Sequence, residues 1–276
     1  MASPALPTVT TLELQRSGGW LTIWFNRPDQ RNALSDVMTA EIVSVFDAVR
    51  DDRGLRGITL RGRGGIFCAG ADLKNFRDNF LISGDRDAVL KMSRDTAAIF
   101  DAVNEAPQVV IALIEGAAMA GGFGMACCAD VVLCESNARF AMTETAIGLT
   151  PAQIAPFVVQ KLGYAAARRL MLTAARFDGA EAQRLGFADF IADDAAGLEA
   201  LELALKQQIS NAAPGAIAAT KSLLRDITGQ PRDRVIALAA QNFADRMASD
   251  EARDGIAAFF EKRKPRWAIS DEVDPH

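Results

Sequence analysis

Two short stretches rich in small residues hold the groups best suited to chemistry. Phe67-Cys-Ala-Gly-Ala-Asp72 would let a substrate approach the main chain closely and leaves the N–H of Ala71 free to donate. Gly121-Gly122 stands just ahead of a helical run, where unpaired N–H groups and the positive end of the helix dipole gather. Two such donors can stabilise an oxyanion, the charge that builds on a carbonyl oxygen when bonds change beside it. On these residues alone, close helix–strand packing is the better explanation of the glycines. Gly62-x-Gly64-Gly65 has neither the Gly-Lys-Ser/Thr of a phosphate loop nor dinucleotide GxGxxG spacing, so it reads as a turn. The single histidine is His276, so a Ser-His-Asp triad, a Cys-His pair, a histidine metal site and an imidazole proton shuttle all lack their central residue. Cys68, Cys127, Cys128 and Cys134 make no CxxC pair and read as small buried residues in a reducing compartment. No metal site is expected.

The elements that must position these groups follow from hydrophobic spacing. Thr10 to Gln15 and Trp20 to Phe25 flank Ser17-Gly18-Gly19 as a hairpin. Ser35 is placed as an N-cap, and Met38, Ile42, Val45, Phe46 and Val49 recur at helical spacing, which predicts a helix over Asp36 to Arg50. Leu55 to Leu60 reads as a strand, Asp87 to Asn104 as a helix, and the continuous apolar run Val109 to Ile114 as a strand buried on both faces. Val131 to Cys134 is a further strand. Beyond Pro151 the pattern is helical over Ile154 to Leu162, Ala165 to Leu172, Leu198 to Ile209, Ala216 to Ile227, Val235 to Met247 and Ala252 to Lys262. A short strand near Phe187 to Ile191 interrupts it. Repeating strand, loop and helix units make this an α/β chain, divided as an α/β core over 1–200 and a helical region over 201–276.

Asn26-Arg27-Pro28…Asn32-Ala33-Leu34, Phe67-Cys-Ala-Gly-Ala-Asp-Leu73, Gly116…Ala120-Gly-Gly122…Ala129-Asp130, Phe140…Glu144…Gly148…Pro151 and Phe259-Phe-Glu-Lys-Arg-Lys264 occur in this order. Together they resemble the enoyl-CoA hydratase/isomerase (crotonase) superfamily over about residues 9 to 266. The resemblance implies a spiral of ββα units, a C-terminal helical trimerisation region, and a homotrimer or dimer of trimers. It implies an acyl-CoA substrate whose thioester oxygen lies between the N–H groups of Ala71 and Gly121. Main chain around Ala69, Asp72 and Leu73 would meet the adenine end of CoA, and Lys262 with Phe259 would reach it from the C-terminal helix, across a subunit boundary. No cofactor is expected beyond the coenzyme A carried by the substrate.

Glu144 by itself reads as a solvated or capping glutamate. The resemblance places it in the family's acid/base position, where a carboxylate can shuttle the proton without a histidine. One departure bears on the reaction. Familiar hydratases carry a second glutamate where this chain has Gly124. A single carboxylate suits a double-bond shift, and the family's isomerases are similar in keeping only the Glu144 position. Gly-Gly-Phe-Gly124 with Thr150-Pro-Ala-Gln-Ile-Ala-Pro-Phe157 looks instead like a subgroup of branched-substrate hydratases, near the isohexenylglutaconyl-CoA hydratases. There one carboxyl group could deliver both hydroxyl and proton, and the lost side chain at Gly124 would widen the acyl pocket. Hydration is the expected reaction. A Δ3,Δ2-enoyl-CoA isomerase is the alternative, and a non-catalytic acyl-CoA-binding protein the alternative of another class.

Bulk properties agree with this reading. The chain has 276 residues, 50% hydrophobic, so a large core is affordable. Thirty basic against 35 acidic residues give a net charge of −5, which offers no global field for nucleic acid. No apolar run is long enough to span a bilayer and no secretory signal is expected, so the expected location is cytoplasmic.

Overall fold

The computed structural model describes residues 4–72, 77 and 85–268. Leu73 and His276 lie outside the described residues. Strands β1 (Leu12–Ser17) and β2 (Trp20–Phe25) form the expected antiparallel hairpin. Helix α1 (Asp36–Val49) starts at Ser35, whose hydroxyl accepts the Met38 N–H at 3.2 Å, and all five residues of the spaced apolar set are buried. Strand β3 (Gly57–Gly62) follows, then α2 (Arg86–Asn104) and β4 (Val109–Ile114).

The chain then alternates between two sheets. Short β5 (Ala117–Met119) leads into α3 (Gly121–Cys128), and β6 (Val131–Glu135) leads into short β7 (Arg139–Ala141). Helix α4 (Ala155–Thr173), β8 (Phe177–Asp178), α5 (Gly179–Arg184) and β9 (Phe190–Ala192) complete this part. The large sheet has the order β1-β2-β3-β4-β6-β9, parallel from β2 onward, and the small sheet the order β5-β7-β8. Each turn of the spiral thus contributes a strand to the large sheet and a short strand to the small one. This is the ββα spiral that the resemblance implies. Within α4, Gly163 has a φ of 73° and ψ of 159°, which break the helical path and leave the two helices expected over 154–172 on either side of it.

Between the sheets and α1, α2, α3 and α4 lies the main core, with Phe123, Phe140, Phe177 and Phe187 interlocked at its centre. All four cysteines are buried and unpaired; burial pushes the Cys68 thiol up to about 12. Helix α6 (Ala195–Ser210) covers the other side of the large sheet, burying Leu198 against Trp20, Ile111, Leu113 and Leu133. Residue 200 lies inside this helix. Leu198, Leu201, Leu205 and Ile209 all belong to the apolar cluster on this side of the sheet.

Helices α7 (Pro214–Ile227), α8 (Arg232–Met247) and α9 (Asp250–Glu261) form the C-terminal helical part. Two buried cations fasten it to the body. Lys221 Nζ lies 2.6 Å from Asp130 and 2.8 Å from the Gln108 carbonyl. The Arg56 guanidinium donates to the carbonyls of Ile209, Ala212 and Trp267. Leu224, Ile236, Phe243, Met247, Phe259 and Phe260 leave an apolar surface bare on these helices. Among the described residues, no helix is long and apolar enough to cross a membrane.

Candidate active site

The spiral brings three chain segments side by side. Cys68 bridges Ala118 in parallel, and Ala118 pairs in parallel with Phe140. Three residues beyond these partners come Ala71, Gly121 and Thr143, with Glu144 next. The candidate groups therefore leave the same end of the small sheet on consecutive turns of the repeat. Cys68 N–H donates to Ala117 O at 3.2 Å, Met119 N–H to Cys68 O at 2.9 Å, and Ala120 N–H to Ala141 O at 2.8 Å, which locks the register.

At this edge the main chain turns sharply twice. Gly70 has a φ of 94°, and a Cβ there would sit 2.9 Å from Ala120 Cβ and 3.0 Å from Met119 O. Ala120 caps α3 with a φ of 48° and ψ of −121°, a conformation that L side chains seldom adopt. The turn ends β5 and sets Gly121 as the first residue of α3, where its N–H has no carbonyl one turn back. Ala71 pairs with Leu34 through its neighbours: Leu34 N–H donates to Gly70 O at 2.8 Å and Asp72 N–H to Leu34 O at 3.0 Å. The Ala71 N–H thus faces away from Leu34, and among the described residues it meets no acceptor. A Cβ built on Gly121 would lie 4.0 Å from Ala71 N, so the two residues are neighbours in space.

Glu144 opens a short 3-10 helix, Glu144–Ile147, held to α4 by the Thr145 hydroxyl donating to Met171 O at 2.9 Å. Among the described residues, its Oε2 is buried without a hydrogen-bond partner. Burial raises its pKa above the ordinary value of 4.5, opposed only by a bond from its own backbone N–H. A partly desolvated carboxyl with a raised pKa is the state a proton carrier needs near neutral pH.

Ion pairs and main-chain bonds engage several of the other residues. Asp72 is held by Arg27 at 3.0 Å, and Ala69 spends its N–H on Arg31 O at 3.0 Å, so both brace the loop that presents Ala71. Glu115 and Asp130 pair with Arg61 and Lys221 respectively. Phe259 and Lys262 lie at the end of α9, which packs on α8 and against Trp267; within one chain they stand apart from the segments at the small-sheet edge. The expected room at Gly124 is not there. A Cβ at 124 would fall 2.1 Å from Ile154 Cγ2 and 2.4 Å from Ile154 Cβ, so the isoleucine already fills that ground.

Sequence reasoning passed over two residues that build the site. Asn32 is fully buried; its Oδ1 accepts Arg27 N–H while its Nδ2 donates to Arg63 O and Ile66 O, tying the 27–34 loop to the turn before Cys68. Its φ of 55° is a conformation asparagine tolerates better than most residues, which was the available signal. Ile154 left one signal, the glycine inside α3, since glycine in a helix interior is unfavourable unless something must come close.

A family model for enoyl-CoA hydratase/isomerase matches residues 15–270. The chain is 32% identical over 265 residues to enoyl-CoA hydratase EchA19 of Mycobacterium tuberculosis, covering 92% of this chain and 95% of that protein. It is 30% identical over 252 residues to a mitochondrial Delta(3,5)-Delta(2,4)-dienoyl-CoA isomerase of Dictyostelium discoideum, covering 87% and 84%. Among solved structures it is similar to Pseudomonas aeruginosa AtuE, with a TM-score of 0.91 and 43% identity over 94% of this chain and 100% of that one. The chain belongs to the enoyl-CoA hydratase/isomerase family and is an enzyme of that kind.

Proposed function

We propose that this enzyme adds water to the double bond of a 2-enoyl-CoA thioester. The observation that carries the reading is Glu144: a carboxyl group with one buried oxygen that has no hydrogen-bond partner among the described residues, on the segment that leaves the small sheet beside Ala71 and Gly121. The thioester oxygen lies between the N–H groups of Ala71 and Gly121, which hold the enolate charge as it forms. Ionised Glu144 takes a proton from water as the hydroxyl adds to the β-carbon. The same carboxyl then returns a proton to the α-carbon, so one acid serves both half-steps. The main chain at Ala69 to Leu73 contacts the adenine end of CoA. The CoA moiety belongs to the substrate, and the reaction uses no further cofactor.

Phe259 and Lys262 reach the nucleotide of a neighbouring subunit in a homotrimer or dimer of trimers. Support comes from the bare apolar surface on α7, α8 and α9, of a kind that marks protein–protein contact. The compartment proposed is the cytoplasm.

A second reading, isomerisation of 3-enoyl to 2-enoyl thioesters, is favoured by the absence of room for a second carboxylate at Gly124. Mass detection on a panel of acyl-CoA thioesters separates the two, since hydration adds one water and isomerisation leaves the mass unchanged. Conversion of 3-enoyl esters with no hydrated product would replace hydration by isomerisation. Binding across the panel with no turnover would remove both.

A further inference from the structure

We propose that Ile154 is the side chain that sets the depth of the acyl site; the inference rests on the acyl-CoA reading above. Gly121 and Gly124 are three residues apart on α3 and so share one face of the helix. Beyond Gly121 on that face lie the Leu34 side chain, 3.3 Å from where a Cβ would be, and the Ala71 nitrogen. One turn further along, the three atoms nearest to where a Gly124 Cβ would be all belong to Ile154. A thioester anchored between the Ala71 and Gly121 N–H groups sends its acyl carbons along a glycine-floored strip, and Ile154 is the hydrocarbon that closes it.

The position of Ile154 is fixed from several sides. It is 3% exposed, its carbonyl accepts the Val158 N–H at 3.0 Å, and Ala155 N–H donates to Pro151 O at 2.9 Å. Gln153 donates to the Ser93 hydroxyl on α2, which ties the same segment to a second helix. With the α3 backbone directly behind it, the isoleucine has no space to retreat into when a longer chain arrives. The glycine at 124 therefore does not enlarge the site; it makes room for the residue that shortens it. The closure is also apolar, so water reaches a bound enoyl group from elsewhere than the Gly124 side.

The test compares kcat/KM for crotonyl-CoA and trans-2-octenoyl-CoA in the wild type, Ile154→Ala and Ile154→Val. Removing three carbons should raise the octenoyl-to-crotonyl ratio by about 10-fold or more, the scale of discrimination by hydrocarbon contacts in an enzyme pocket, with Ile154→Val shifting it less in the same direction. Inhibition by free CoA should stay unchanged in both. If the thermal midpoint falls while the ratio stays put, Ile154 only fills the core and the inference is wrong. Ile154→Val, the milder change, decides the matter if Ile154→Ala does not fold. A wild type inactive on every enoyl-CoA would instead overturn the functional reading, and this inference with it.

Discussion

Replacing Gly124 by alanine should destabilise the protein, and trimming Ile154 should offset part of that loss. The new methyl carbon would stand 2.1 Å from Ile154 Cγ2 and 2.4 Å from its Cβ, whereas two carbons rest about 3.5 to 4.0 Å apart. The overlap involves the branched, stiff part of the isoleucine, which has few rotamers to escape into. Overpacking of this kind costs about 1 to 3 kcal/mol. For a chain of this size that is a fall of roughly 2 to 10 °C in thermal midpoint. Ile154→Ala alone leaves a cavity and costs about 2 to 5 kcal/mol. In the double variant the added methyl enters vacated space, so the pair should be less destabilised than the two single changes added together, by about 1 kcal/mol or more. Thermal or urea unfolding of the four proteins closes the cycle. Strict additivity would mean that the two residues do not compete for one space, and the account of Gly124 would fail.

Glu144→Gln should lower turnover by about 100-fold or more, measured on the best substrate of the acyl-CoA panel. The same variant should be more stable than wild type at neutral pH. Because folding raises the Glu144 pKa, its protonated form favours the folded state: that contribution is complete below the ordinary value of 4.5 and disappears as pH rises through the raised folded value. The stability gain of the variant, read by melting from pH 4 to pH 8, should therefore appear only on the alkaline side; a gain that does not change with pH would contradict the burial argument. Ala120→Gly relieves a positive φ and should leave the midpoint unchanged or higher, whereas Ala120→Val should cost about 1 to 3 kcal/mol in calorimetry. Asp130→Ala removes the carboxylate beside the Lys221 ammonium, which keeps the Gln108 carbonyl, and frees the Val110 N–H, so a loss of about 1 to 3 kcal/mol is expected. Adding Lys221→Met to that variant should recover part of it.

Much of the scaffold could be read in advance because its signals are local. The periodicity of Met38 to Val49, the Ser35 cap and the apolar run of β4 each follow from a few neighbouring residues. Ala71 and Gly121 were different: their small neighbours suit close helix–strand packing as well as a ligand, and only the resemblance singled them out. The short strands β5 and β7 were not visible, being three residues each and too brief for alternation to show. The pairing of β5 with Cys68 and of β7 with β5 depends on contacts across about 50 and 20 residues of chain. For the same reason, Glu144 could be assigned a role only by resemblance, since nothing near it in sequence reveals its unpartnered oxygen. Gly124 misled, because a missing side chain looks like empty space until the residue packed against it is known.

The two N–H groups offered at the small-sheet edge belong to the peptide backbone, and this gives them a distinctive genetic property. No ordinary codon change, short of proline, can delete them. They are inherited with the register of Cys68, Ala118 and Phe140, so a lineage that keeps the spiral keeps both donors at this edge. Selection can reach the chemistry only through side chains around that fixed point. On the function proposed for this chain, the accessible positions are the carboxyl at Glu144 and the hydrocarbon of Ile154, and divergence within the family should be concentrated at such places while the backbone stays as it is.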